Sequence, residues 1–186
     1  MPASRRAGRV PAFQLKITLR HTSPPIWRRL IIPGQWHLGL VHYALQTAMG
    51  WTDSHLHEFD IAGRRVGIPD PDWGDDIERE TVVRLYEALA NTGDRIGYSY
   101  DFGDGWEHTI DVEAILDPAT HATCLAGRRA CPPEDCGGPG GYEDLLAAMA
   151  NPTHPDHDQM REWLGRDVHP EAFEPAEVNA AFQHLT

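Results

Sequence analysis

The segment Tyr98-Ser99-Tyr100-Asp101-Phe102-Gly103-Asp104-Gly105-Trp106-Glu107-His108-Thr109-Ile110 constrains the fold most, because alternating aromatic and polar residues flank a glycine-rich turn. Alternation puts every second side chain on one face of a strand, and two such runs around Gly-Asp-Gly define a β-hairpin. With Gly103-Asp104-Gly105 as a three-residue loop and Gly105 left-handed, Phe102 is expected opposite Trp106, Tyr100 opposite His108, Tyr98 opposite Ile110 and Ile96 opposite Val112. These residues make one face. The other carries Ser99 and Asp101 against Thr109 and Glu107, followed by Asp111 and Glu113. Carboxylates directly opposite one another destabilise a sheet unless a cation intervenes. A two-residue Asp104-Gly105 loop would set Phe102 against Glu107 and mix the faces.

Cations are available upstream. Residues 1–52 hold seven basic side chains (Arg5, Arg6, Arg9, Lys16, Arg20, Arg28, Arg29) and no carboxylate, so a net charge of −12 leaves −19 on the remainder. Basic N-terminal strands paired with the acidic hairpin follow from this polarity, with Arg28 or Arg29 expected at the Asp101/Glu107 face. A basic edge for nucleic-acid phosphates is the competing use, disfavoured because so acidic a chain repels a polyanion over most of its surface.

Composition is that of one globular domain, 41% hydrophobic and 24% charged. No apolar run approaches the roughly 18 residues that span a bilayer, and the basic start lacks the apolar stretch of a secretory signal. The expectation is a cytoplasmic protein with a basic tail over residues 1–11, a domain over 12–186 and no membrane contact. Ala12 to Leu19 and Ile26 to Ile32 read as paired strands flanking Pro24-Pro25. Leu38, Val41, Leu45, Ala48 and Met49 give a helix from about His37, ended by Gly50. Two short strands, His57 to Ile61 and Arg64 to Gly67, surround Ala62-Gly63, and Pro69 to Glu80 reads as an acidic surface loop. Asp117 to Gly141 lacks periodicity and reads as a long loop needing an anchor. Helices follow around Tyr142 to Met149, from an Asp156/Gln159 capping box to Leu164, and after Pro175. Strands early and helices late make the class α+β, a mixed, mostly antiparallel sheet with helices packed on it.

Pro24-Pro25-Ile26-Trp27-Arg28-Arg29, Ala48-Met49-Gly50-Trp51, His55-Leu56-His57-Glu58-Phe59 and Ala130-Cys131-Pro132-Pro133-Glu134-Asp135-Cys136-Gly137-Gly138, together with the hairpin, resemble the plasmid pRiA4b ORF-3-like family in order and spacing. The resemblance covers roughly residues 12 to 185 and is far more specific than any one short motif. It implies a compact domain of bacteria and archaea, in some members labelled as a resolvase or found beside DNA-binding domains, and carries no established activity.

Three constellations offer chemistry. Cys124, Cys131 and Cys136, with His121 ahead of them, present the thiolate and imidazole donors that zinc selects; His154 and His157 are alternative fourth ligands. Only Cys131 and Cys136 form a tight pair, and the competing expectation is reduced, metal-free thiols packed under the loop, which is ordered by Pro132-Pro133, Glu134 and Asp135. His55 and His57 share one face of a strand and can chelate one ion. Asp101, Glu107 and Asp111 supply hard oxygen ligands for magnesium, manganese or calcium, against the reading that they are arginine-paired. His108 is expected in the core, satisfied by a tyrosine or a carbonyl. The glycine run Gly137 to Gly141 opens a helix, yet Glu143 and Asp144 in its first turn would repel a phosphate. A deaminase signature and a nucleophile elbow are both missing from the sequence. The leading expectation is a binding or interaction domain of unestablished ligand, a protein or a small molecule, tied to mobile-element or DNA-transaction biology through partners. The alternative is a metal-dependent hydrolase or nuclease using Asp101, Glu107 and Asp111 with His55 or His57.

Overall fold

Phe13, Leu15, Ile17 and Leu19 alternate with Gln14, Lys16 and Thr18, and β1 (Ala12–Leu19) buries the first set completely. A computed structural model describes residues 10–69 and 76–185. β1 pairs antiparallel with β2 (Ile26–Pro33), followed by α1 (Leu38–Met49), β3 (His57–Ile61), β4 (Arg64–Gly67), β5 (Glu78–Arg79) and the single turn α2 (Leu85–Ala88). The chain continues through β6 (Arg95–Tyr100), β7 (Trp106–Leu116), β8 (Thr123–Arg128), α3 (Gly138–Ala150), α4 (His157–Leu164) and α5 (Pro175–Phe182). All described strands form one sheet in the order β5-β4-β3-β6-β7-β1-β2-β8, antiparallel except for β4 with β5. The α+β class with a mixed, mostly antiparallel sheet therefore holds. Among the described residues no helix is long and apolar enough to cross a membrane.

Helix α1 runs across one sheet face between β2 and β4, with α5 beside it over β8. Its ends match the sequence signals: His37 caps the first turn through Nδ1, which accepts from the Leu40 amide, and Gly50 closes it in the left-handed region at φ 91°. The opposite sheet face carries ion pairs. Arg20 meets Glu107 at 2.7 Å, Arg95 meets Asp111 at 2.6 Å, and Arg29 holds Glu113 through Nε and Nη2. Basic N-terminal residues thus face the acidic hairpin, Arg29 among them as expected and Arg28 not. Arg29 reaches the expected hairpin face, at Glu113 rather than at Asp101 or Glu107. Arg28 points the other way into the core, where Nε and Nη1 donate to the carbonyls of Ala48, Trp27 and Arg128.

The hairpin register is corrected by two residues on each strand pair. Tyr100 lies opposite Trp106, Tyr98 opposite His108 and Ile96 opposite Ile110, while Glu107 faces Ser99. Asp101 to Gly105 form a longer turn because Asp101 itself turns left-handed (φ 53°), and its Oδ1 accepts from the amides of Gly103 and Asp104. A shift of two keeps every side chain on its face, so the buried set is the expected one except for Phe102, which is 58% exposed at the turn. Gly105 is left-handed as expected.

Three other expectations change. The long loop from Asp117 is interrupted by β8, which pairs with β2 through a bulge, and ends at Gly138 where α3 begins. Asp156 makes no capping bond to α4; His157 Nδ1 instead donates to the Ala148 carbonyl at 2.9 Å. Residues 70–75 of the acidic loop and 1–9 of the basic tail lie outside the described residues; at the end of that loop Glu78 and Arg79 are exposed as expected and form β5, while Glu80 is buried.

Trp106 is buried beside Trp51, so Trp106→Ala should lower the unfolding free energy in urea by about 3–5 kcal/mol. His108 has only a long contact to the Tyr98 carbonyl, and burial holds its pKa at about 4, below the ordinary 6.5. The unfolded chain therefore binds a proton below pH 6.5 that the folded chain refuses until about pH 4. Stability should be complete above that window and fall within it by up to about 1.4 kcal/mol per pH unit. Denaturation curves at several pH values will show this slope, and His108→Gln should remove the His108 share of it while that of His42, whose pKa burial also lowers to about 4, remains.

Candidate functional site

Two polar clusters flank the turn that follows α1, and β6 reaches both. Tyr98 and Tyr100 are buried on the same face of that strand. The Tyr100 hydroxyl accepts from the Ser54 amide at 3.0 Å and donates to Glu134 at 3.1 Å. The Tyr98 hydroxyl accepts from Gln46 Nε2 at 3.0 Å and lies 2.8 Å from His42 Nδ1. Burial pushes both phenols up in pKa, so each remains a hydroxyl at neutral pH.

The outer cluster gathers His55, Asp101, Glu134 and Asp135. His55 Nε2 lies 3.6 Å from Asp101 Oδ2, 3.7 Å from Glu134 Oε2 and 3.1 Å from Asp135 Oδ1. It is shielded from solvent yet makes no hydrogen bond of good geometry. Asp101 divides its oxygens, Oδ1 organising the turn and Oδ2 facing the imidazole. Glu134 is positioned by Tyr100 and by the Thr52 amide at 2.8 Å. Asp135 is open, its side chain 69% exposed. Ligand atoms of His55, Asp101 and Asp135 all lie within 4.8 Å of one another.

The Ala130-to-Gly138 motif builds the wall of this cluster. Trp51 Nε1 donates to the Pro132 carbonyl at 3.0 Å, and the Gly137 amide donates to Asp104 Oδ2 at 3.1 Å. A Cβ on Gly138 would stand 2.2 Å from the Asp104 carbonyl oxygen, so the glycines serve close approach of the loop to the hairpin turn.

The inner cluster contains His42, Asp53, His57 and Glu80. His42 Nε2 meets Asp53 Oδ1 at 2.8 Å and His57 Nε2 meets Glu80 Oε2 at 2.6 Å. Burial, then the neighbouring His57, lowers the His42 pKa to about 4 against the pull of Asp53. Burial opposes ionisation of Glu80, but the hydrogen bond and charge of His57 outweigh it and leave its pKa lowered.

The residues singled out in the sequence separate accordingly. Asp101 and His55 meet, whereas His57 belongs to the inner cluster, so the two histidines do not share one constellation. Glu107 and Asp111 lie on the opposite sheet face with Arg20 and Arg95. Cys124, Cys131 and Cys136 are free thiols, each raised in pKa by burial, Cys136 to about 12. Cys124 and Cys131 both lie near the Arg28 guanidinium, while His121 is exposed between β7 and β8. No group of three or more convergent ligands among the described residues includes a cysteine or His121. Sequence reasoning missed His42, Asp53 and Glu80. One signal was present: His42 and Gln46 stand one turn apart on α1, polar residues on its otherwise apolar stripe.

Comparison with known proteins agrees with this architecture. The chain is 43% identical over 156 residues to the uncharacterized protein y4hQ of Sinorhizobium fredii, covering 82% of this chain and 80% of that protein. It is similar to the crystal structure of a protein of unknown function, MM3350, from Methanosarcina mazei Go1, with 33% identity and a TM-score of 0.81 over 90% of this chain and 97% of the other. A sequence model of the family described as plasmid pRiA4b ORF-3-like protein matches residues 11–179, and the chain belongs to that family.

Proposed function

We propose that the protein is a cation-dependent binding domain whose outer cluster holds an exchangeable divalent cation, with open positions for an anionic ligand. One observation carries the reading: His55 Nε2 faces three carboxylates at 3.1–3.7 Å without a hydrogen bond. Among the described residues no lysine or arginine pairs with any of the three. Carboxylates crowded in this way repel one another, and a cation bridging them removes the repulsion. Three oxygen donors and one imidazole suit manganese best, with magnesium or calcium as hard-cation competitors. The exposure of Asp135 leaves coordination positions for a phosphate or carboxylate group of the ligand.

A link to mobile-element or DNA-transaction biology is supported by the plasmid in the family's description. The net charge of −12 favours a route through protein partners over direct contact with nucleic acid. Free thiols fit a cytoplasmic residence. The exposed side of the cluster also favours a second reading, in which cation-bound water attacks a phosphoester as in a metal-dependent hydrolase.

Manganese at a hundredfold excess over its Kd should stabilise the wild type by about 2.7 kcal/mol and leave Asp101→Asn unaffected. Asparagine tolerates the left-handed backbone and retains Oδ1 for the turn, so this variant removes charge without removing the fold. Equal stabilisation of both proteins, or of neither, rejects the site. Manganese-dependent turnover of bis(p-nitrophenyl) phosphate, lost in Asp135→Asn, selects the hydrolase reading; phosphate binding without turnover selects the binding domain.

A further inference from the structure

The inner cluster has a different donor set and a different burial. The His42 and His57 rings stack at 3.5 Å between centroids and 7° between planes. Two imidazolium rings would repel strongly at that separation, so at least one ring is neutral and the histidines do not balance Asp53 and Glu80. No lysine or arginine among the described residues lies within salt-bridge distance of either carboxylate. One imidazolium leaves a net negative charge on the pair of carboxylates, Glu80 buried and Asp53 partly open to solvent, and a bound cation offsets it. A second observation is independent of charge. The His57 side chain is only 2% exposed, and its Nδ1 is buried without any hydrogen-bond partner. In a purely hydrogen-bonded polar core that nitrogen would have a partner.

We propose that His42, Asp53 and His57 form a binding site for a first-row transition-metal dication of the zinc class, with Glu80 orienting His57. Ligand atoms of His42, Asp53 and His57 already lie within 4.8 Å of one another, and Glu80 holds the other nitrogen, Nε2, of His57. A tetrahedral ion with bonds of about 2.0–2.2 Å holds its ligands about 3.4 Å apart, so the cluster closes with small side-chain movements. Two imidazoles, which are borderline donors, beside a single carboxylate favour zinc, cobalt or nickel over the hard cations suited to the outer cluster. The surroundings orient these donors. The Tyr98 hydroxyl, itself held by Gln46, fixes the far nitrogen of His42, and either tautomer is served because a hydroxyl both donates and accepts. Gly39 on α1 makes room for Glu80, since a Cβ there would stand 2.8 Å from Oε1. Entry is provided by a cavity of about 310 Å³ lined by all four residues. Binding through His57 Nδ1 supplies the partner that this nitrogen lacks and keeps the Nε2–Glu80 hydrogen bond, while it displaces the His42–Asp53 hydrogen bond and releases any proton held on the coordinating nitrogens.

The test uses the full chain, stripped with a chelator and titrated with cobalt as a visible probe for zinc. One equivalent should give d–d absorption bands, and zinc added afterwards should abolish them. His57→Gln should lose the bands. Asp53→Asn, altered at the cluster's exposed corner, should weaken cobalt binding at least about tenfold, which keeps the test decisive if the buried variant fails to fold. Cys131→Ser and Glu107→Gln should bind as wild type does. Absence of bands in the wild type overturns the proposal. Bands retained in folded His57→Gln, or lost in Cys131→Ser, also overturn it, as do bands that depend on His55 alone. The outcome is separate from manganese binding at the outer cluster, which is read through Asp101.

Discussion

Tyr98 and Tyr100 stand two residues apart on β6, and strand geometry therefore sends both side chains through the same apolar layer beneath α1. Each ring belongs to the core and each hydroxyl leaves it. Tyr98 ends among His42 and Gln46, and Tyr100 ends between Ser54 and Glu134. A buried phenol that lacks partners is costly, so the polar groups around each hydroxyl are held by the same interaction that completes the core. Trp51 extends this coupling: it stacks on Tyr100 at 4.9 Å and its indole N–H donates to the Pro132 carbonyl, fixing the loop that carries Glu134 and Asp135.

Three carboxylates of the two clusters come from residues with left-handed backbone: Asp53 at φ 57°, Asp101 at φ 53° and Asp135 at φ 57°. Aspartate tolerates this conformation better than most residues, and in a turn it lets a short side chain point back toward the strand ends. The polar sheet face works differently. There Arg20, Arg29 and Arg95 pair with Glu107, Glu113 and Asp111 near solvent, where each pair contributes about 0–1 kcal/mol and serves register and solubility more than stability.

Local periodicity made much of this legible. The alternation in β1, the stripe of α1 and the Ala62-Gly63 turn placed their elements within a residue or two, because each is set by nearby side chains. What the sequence left hidden depends on distant partners. Strand β8 has the composition of a loop and becomes a strand through the edge of β2 and the amide of Asn179 on α5, which brackets the backbone of Cys124. Arg28 was expected, with Arg29 as the alternative, at the acidic face of the hairpin, yet parity on β2 turns it inward to three carbonyls and the face of Phe173. Half of the outer cluster was visible as Asp101 and His55. Of the inner one only His57 was, since His42, Asp53, His57 and Glu80 come from four separate segments that only the closed sheet brings together.

The central claim is that the clusters beside β6 are cation sites. Anomalous diffraction from crystals soaked in manganese tests it most directly. The account predicts a peak bonded at about 2.0–2.6 Å to His55 Nε2 and Asp101 Oδ2, with Asp135 or Glu134 completing the contact. A well-ordered water in that position under saturating manganese, with no anomalous signal, would contradict it.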